Sequence, residues 1–266
     1  MNKRILTSRQ KFTQRLGAYV AIILFGLGTV YVAPIGVQAK QASINPNGQG
    51  KLLIVGDSLT IGANAFGALA TKLRAEKVWS GVILDAKAGR RTSHGIQTIS
   101  KRLQTTPNIT ALVVALGTND MISRRETKYP RLVIDQLMTK VGQIPVLWVN
   151  VKFSPTGRAD WRARGVRFNR ELRKAQSRYP NLHIADWSTS FVPSGKSRYI
   201  VDGVHLTVSG YKTRAAWMQS QIITYGTNII NATTTTSTTI VDSTTTSVDS
   251  TTTTTTTDTP ATTQGT

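Results

Sequence analysis

The 266 residues include no cysteine. That absence excludes disulfides, cysteine-ligated zinc and thiol nucleophiles together. Histidine is almost as scarce. His94, His183 and His205 are the three imidazoles, so any histidine base comes from that set. No cluster of His, Asp and Glu has metal-ligand spacing, and the sequence calls for no metal or other cofactor. Acids are few as well, with 13 Asp and Glu against 33 Lys and Arg and a formal net charge of +20. Most of both kinds, 27 basic and 10 acidic, fall in residues 41–230. A field this positive favours anionic surroundings such as a cell-wall polymer or lipid headgroups. Its densest stretch, RADWRARGVRFNRELRKAQSR at 158–178, lacks the aromatic interleaving of single-strand binders and any nucleic-acid motif, so nucleic acid is not an expected partner. A solvated basic helix face is the simpler reading of that stretch, and attraction to an anionic wall polymer is the other.

Both ends differ from the middle. Lys3, Arg4, Arg9, Lys11 and Arg15 precede the uncharged run LGAYVAIILFGLGTVYVAPIGV, and Val37-Gln38-Ala39 fits a small-x-small cleavage site. At about 1.5 Å per residue the run also reaches across a bilayer as a helix. Residues 1–40 therefore read as a signal peptide or an N-terminal membrane anchor, and either places the following domain outside the membrane. Residues 231–266 are mostly threonine, with VDSTTT at 241–246 and again at 248–253. Such a tail buries too little apolar area to offset ordering, so disorder is expected there. The remaining 41–230 suffices for one well-cored domain.

Within that domain, β-branched apolar runs alternate with amphipathic stretches. KLLIV (51–55), VILDA (82–86), ALVVAL (111–116), PVLWVNV (145–151) and LHIA (182–185) read as buried strands, and 61–77, 95–104, 128–142, 161–178 and 207–223 as helices. This alternation predicts an α/β fold, a three-layer α/β/α sandwich around a five-stranded parallel sheet. Sites in open parallel sheets form outside the carboxyl ends of the strands. Gly56-Asp57-Ser58, Lys87-Ala88-Gly89, Gly117-Thr118-Asn119-Asp120 and, after a loop, Asp202 and His205 all follow strands.

Ser58 opens a helix, where unpaired N–H groups favour negative charge, but a serine nucleophile needs a base beside it. His205 can be that base, with Asp202 orienting its ring. The backbone N–H groups of Ser58 and Gly89 and the Asn119 amide are candidate donors to an oxyanion. Each fragment alone also reads as a turn or a cap. Asp57 and Asp120 suit loop fixation, and His183 and His94 suit a structural or surface position. Asn169 and Trp161 lie on the helix that follows the fourth strand.

In their order, GDSL at 56–59, Gly89 in AKAGRRT, GTND at 117–120 and DGVHLT at 202–207 resemble the four blocks of the SGNH (GDSL) hydrolase superfamily. The resemblance implies a flavodoxin-like sandwich, a Ser58–His205–Asp202 catalytic triad, and an oxyanion hole of Ser58, Gly89 and Asn119. No G-x-S-x-G elbow surrounds Ser58, which sets the chain apart from α/β-hydrolases. The expected activity is an exported serine esterase acting on short acyl esters, O-acetyl foremost, of cell-wall carbohydrate or a small ester. The blocks also resemble extracellular domains that O-acetylate peptidoglycan, which leaves acyl transfer open. A third reading is a non-catalytic, cationic wall-binding protein.

Overall fold

The structure is a computed structural model that describes residues 50–190 and 198–244, with the helical backbone alone over 232–244. The signal or anchor segment lies outside the described residues. Strands β1 (Lys51–Gly56), β2 (Gly81–Ala86), β3 (Ile109–Ala115), β4 (Val146–Val149) and β5 (Leu182–Ala185) form one sheet in the order β2-β1-β3-β4-β5. Every pairing is parallel. The helices between them are α1 (Ser58–Gly67), α2 (Leu69–Ala75), α3 (Thr92–Thr105), α4 (Thr118–Ser123), α5 (Tyr129–Val141), α6 (Ala159–Gln176), α7 (Trp187–Ser190) and α8 (Val208–Thr244). Strand order reverses between β1 and β3, which opens a crevice at their carboxyl ends.

Residue alternation along the strands builds two cores, one on each face. Leu52, Ile54, Val113 and Leu147 pack with α1, α2 and α8 through Leu59, Leu73, Met218 and Ile222. Leu53, Val55, Leu112 and Trp148 pack with α3, α5 and α6 through Ile99, Leu137 and Phe168. A central strand covered on both faces has no polar side, so β1 and β3 read as unbroken apolar runs.

The helices depart from the sequence reading in three places. The expected helix over 61–77 is two helices, divided at Ala68, whose φ of 54° is left-handed. The bend is held by Asn64, whose carbonyl accepts from Ala68 N–H and whose Oδ1 accepts from Ala70 N–H. GTND, which also reads as a turn, opens the short helix α4 behind Gly117, whose φ is 120° and whose missing Cβ would lie 2.8 Å from Phe168 and Val151. The last helix runs past both 223 and the expected onset of disorder at 231, ending at Thr244. A helix already nucleated extends without meeting the nucleation cost again, so poor helix formers can prolong it. The rest of the tail lies outside the described residues.

Helix α1 lies close against α8 because glycines remove the obstruction. A Cβ on Gly62 would stand 2.2 Å from the Tyr211 ring, and one on Gly67 2.2 Å from Ala215 Cβ. Phe66 stacks on the same Tyr211 ring at 5.6 Å. Gly62→Ala is therefore expected to cost about 1–3 kcal/mol by overpacking, outweighing the ~1 kcal/mol of helix propensity that alanine adds. Urea denaturation checks this. In a Tyr211→Ala background the same change is expected to be neutral or stabilising, since the ring it strikes is gone.

Candidate active site

Ser58 is the first residue of α1, at the carboxyl end of β1. The preceding residue, Asp57, caps the helix: its Oδ1 accepts from Leu59 N–H at 3.0 Å, and its carbonyl accepts from Thr60 and Ile61 N–H. This cap satisfies the next N–H groups of the first turn, and Ser58 stands at the positive end of the helix.

His205 reaches the same point from the other end of the chain. Tyr199 and Leu206 pair as an antiparallel bridge, and Ile200 N–H donates to the His205 carbonyl at 2.9 Å. Between them Asp202 closes a turn by accepting from Val204 N–H at 2.8 Å and from His205 N–H at 2.9 Å. Gly203 adopts φ +72° there, and a Cβ on it would meet Gly157 Cα at 2.7 Å. The Gly203 carbonyl accepts from Ser154 N–H at 2.9 Å, which ties the turn to the loop after β4.

The two segments meet in one hydrogen-bonded line. His205 Nε2 lies 2.8 Å from Ser58 Oγ, and His205 Nδ1 lies 2.6 Å from Asp202 Oδ2. Burial raises the Asp202 carboxyl, but hydrogen bonds from the His205 ring and from the two turn N–H groups more than offset it, holding the carboxyl below its ordinary value of 3.8. An acid kept ionised beside Nδ1 fixes the tautomer that presents Nε2 as acceptor to the serine. The Asp202 and His205 side chains are 41% and 38% exposed, so the line lies at an open surface.

Asn119, at the start of α4, joins the remaining loops. Its amide nitrogen lies 3.2 Å from Asp57 Oδ2 and 3.3 Å from the Arg90 carbonyl. It thus spans the residue before Ser58 and the residue after Gly89. Both bonds are at the long end of the usual range, which leaves the amide able to re-aim. Gly89 is exposed with φ +70°, and no atom lies within 4 Å of where its Cβ would be. Glycine is suited here by conformation rather than by crowding. Donors from the ends of β1, β2 and β3 are therefore grouped at the crevice.

Several supporting groups stand behind these residues, Asp120 and Arg90 within the motif blocks and Asn169 and Arg214 outside them. Asp120 is fully buried and accepts from Thr92 N–H, Thr92 Oγ1 and Tyr129 Oη, fixing the β3 loop to α3 and α5. Arg90 is buried with its guanidinium on Asp85 and on the Gly56 and Asp85 carbonyls. Asn169 accepts from Val151 N–H and donates to the Val151 carbonyl, so it braces the loop after β4. Arg214, on the inner face of α8, is 3% exposed and stands over the Trp187 ring at 4.9 Å. Its spacing of three from Tyr211 puts it on the apolar side of that helix, a signal available in the sequence. His94 is exposed on α3, and His183 is exposed on β5 with its ring 5.5 Å from Tyr225. Neither joins the Ser58 line. Among the described residues no group of His, Asp and Glu could hold a metal ion, and no helix is long and apolar enough to cross a membrane.

The family model of the GDSL-like Lipase/Acylhydrolase family matches residues 54–213, more than half of the chain. YrhL of Bacillus subtilis (strain 168), provisionally named a peptidoglycan O-acetyltransferase, is 24% identical over 166 residues, covering 62% of this chain and 23% of YrhL. The chain thus matches under a quarter of that relative's length. Among solved structures, the psychrotrophic esterase EstA from Pseudoalteromonas sp. superposes with a TM-score of 0.54 at 17% identity, covering 66% of this chain and 98% of its own. The lipase/acylhydrolase from Enterococcus faecalis gives 0.52 at 19% identity, covering 65% and 95%. The C-terminal catalytic domain of Streptococcus pneumoniae peptidoglycan O-acetyltransferase A (OatA) gives 0.50 at 16% identity, covering 66% and 94%. At such identities the likeness is one of fold.

The electrostatics of the cap yield a test. Burial pushes the Asp57 carboxyl up to about 6, although Arg214, the Leu59 hydrogen bond and His205 oppose the rise. The folded protein then keeps a proton that the unfolded chain has released, so this stabilisation is present below 3.8 and is lost as pH rises to about 6. The span corresponds to about 3 kcal/mol at most. Asp57→Asn keeps an oxygen for the Leu59 N–H and removes the titration. Wild-type stability measured relative to Asp57→Asn is expected to fall by up to that amount between pH 4 and pH 7, as read by urea denaturation at each pH.

Proposed function

Because the chain belongs to the GDSL-like lipase/acylhydrolase family, a family of ester-acting enzymes, we propose that it is an exported serine esterase that removes short acyl groups, O-acetyl foremost, from cell-wall carbohydrate. The hydrogen-bonded line from Ser58 through His205 to Asp202 carries this reading. In it, His205 Nε2 takes the proton from Ser58 Oγ as the oxygen attacks the ester carbonyl carbon. Asp202 stabilises the imidazolium that results. The carbonyl oxygen becomes an oxyanion held by Ser58 N–H, Gly89 N–H and the Asn119 amide, each donor worth roughly 10²–10³ in rate. Collapse breaks the ester C–O bond, and the imidazolium returns its proton to the departing alkoxide. Water, deprotonated by His205, then attacks the acyl-serine; the acyl–Oγ bond breaks, the imidazolium returns the proton to Ser58 Oγ, and the carboxylic acid leaves.

Export rests on the basic, then apolar, N-terminal 40 residues, with the domain taken as 41–230 and the Thr-rich segment as a tail. The preference for short acyl groups is supported by the surface position of the serine line. The connections after β1, β2 and β3, which carry Ser58, Gly89 and Asn119, are short and leave little chain on that side for a deep acyl tunnel.

Acyl transfer is a second reading, favoured by the relation to YrhL and by the fold shared with the OatA domain. In that case a glycan hydroxyl replaces water in the second step, and a new ester leaves instead of an acid.

A panel of p-nitrophenyl esters and O-acetylated glycans tests the proposal. Acetyl esters are expected to turn over faster than long-chain ones, with kcat/KM falling on the acid side as a single group protonates. Ser58→Ala is expected to lose at least about 10³ in rate. Turnover that survives in Ser58→Ala, or a preference for long chains, contradicts the proposal. With an acetyl donor and a glycan acceptor present, free acetate as the sole product removes the transfer reading, and acetylated glycan supports it.

A further inference from the structure

A second site shares the loop that braces the triad. Beyond the carboxyl ends of β4 and β5 lies a cavity of about 350 Å³, lined by Lys152, Phe153, Arg162, Val166, Asn169 and Arg173 among others. Arg162, Val166, Asn169 and Arg173 fall on one face of α6, as spacings of four, three and four require. Lys152, Arg162 and Arg173 all line it, and among the described residues no carboxylate does.

Two of the lining cations are held in place by backbone carbonyls. Lys152 Nζ donates to the Ser188 carbonyl at 2.7 Å, and Arg162 donates to the Pro155 carbonyl. Asp186, whose charge favours the protonated form of Lys152, directs Oδ1 to Asn150, Ser188 and Thr189. Elsewhere on α6 and just beyond it, Arg164 pairs with Asp160, Arg170 and Lys174 with Glu171, and Arg178 with Asp135. Arg162, Arg167 and Arg173 have no acid partner among the described residues, and two of these three line the cavity. Like charges lining one cavity repel, a cost that a bound anion reverses. Val151, Phe153 and Val166 supply apolar walls for the carbon skeleton carrying it.

We propose that this cavity binds one oxyanion group, phosphate or carboxylate, of a polyanionic glycan or polyol chain, the material on which the esterase reading above places the enzyme. The lining loop continues from Phe153 into Ser154, whose N–H holds the Gly203 carbonyl next to Asp202. A polymer gripped at α6 is therefore held beside the turn that carries the triad acid. The inference rests on the esterase reading for the identity of the carrier, but not for the binding itself.

Titration calorimetry on the full chain carrying Ser58→Ala, so that nothing is turned over, tests it with four probes: poly(glycerol phosphate), polygalacturonate, neutral dextran and oligo(dT). Two double substitutions remove equal charge from the same helix. Arg162→Gln with Arg173→Gln empties the cavity of its α6 cations, whereas Arg167→Gln with Lys174→Gln lies roughly 120–140° around the helix. The expected result is binding of one acidic polymer, weakened at least 10-fold by the first pair and less than 3-fold by the second. Whichever acidic polymer binds tells phosphate from carboxylate. Equal losses in both pairs mean diffuse charge alone and overturn the proposal, as does binding no tighter than dextran. Tighter binding of oligo(dT) than of either acidic polymer overturns it in favour of a nucleic-acid surface. Hydrolysis of p-nitrophenyl acetate by the unsubstituted chain, measured alongside, reports on the esterase reading separately, so either can fail while the other stands.

Discussion

The seating of α1 on α8 is the contact on which the site depends. Ser58 begins the first of these helices, and His205 stands three residues before the second. Their side chains are separated by 147 positions in sequence yet lie 2.8 Å apart. Two glycines make this possible by letting Tyr211 and Ala215 approach the α1 backbone where any side chain would collide. Once α1 is anchored in the core by Leu59 and Ala63, and α8 by Met218 and Ile222, the hairpin before α8 has little freedom left. The serine and its imidazole are thus held by rigid elements rather than by the loops alone, which is what near-attack geometry requires.

A second layer of constraint acts through single polar side chains. Asp57 caps the serine helix, Asn119 bridges Asp57 to the Gly89 loop, and Asp120 ties the Asn119 helix to α3 and α5. Burying Asp57 costs stability, as its raised pKa indicates. A charged cap kept at such a cost is consistent with a site in which orientation outweighs stability. The nearby buried Arg214 fits the same pattern, since desolvation lowers its own pKa while its charge opposes the rise at Asp57.

Much of this was legible in the sequence because it is written locally. The five strands announce themselves as β-branched runs too long and too apolar for exposed loops. Ser58, Gly89, Asn119, Asp202 and His205 stand out by following strand ends in a recognisable order, and three of them form the hydrogen-bonded line. What escaped was decided by tertiary packing. The break at Ala68 answers to how α1 and α2 fit against α8, and the one local stop signal, Gly67, stands inside the first helix rather than at the left-handed position. Gly117 could open a turn or a helix, and the crowding by Phe168 and Val151 that demands glycine is invisible without the fold. Asn169 reads as one more polar residue on a basic helix until its partner, the Val151 backbone, is known. The basic stretch at 158–178 reads as uniform, but its cations divide into those with acids, two arginines that line a cavity, and Arg167, which does neither.

Family membership gives the ester chemistry; a polymeric, anionic target outside the membrane is our proposal, drawn from the open serine line, the basic composition and the N-terminal pattern. All of this rests on Ser58 becoming acylated with the help of His205. Intact-mass analysis with peptide mapping, after brief exposure to a fluorophosphonate, examines that step directly. The account predicts a single adduct on the peptide containing Ser58, absent or greatly slowed in His205→Ala. An unmodified Ser58, or labelling that proceeds at the same rate without the imidazole, would contradict it.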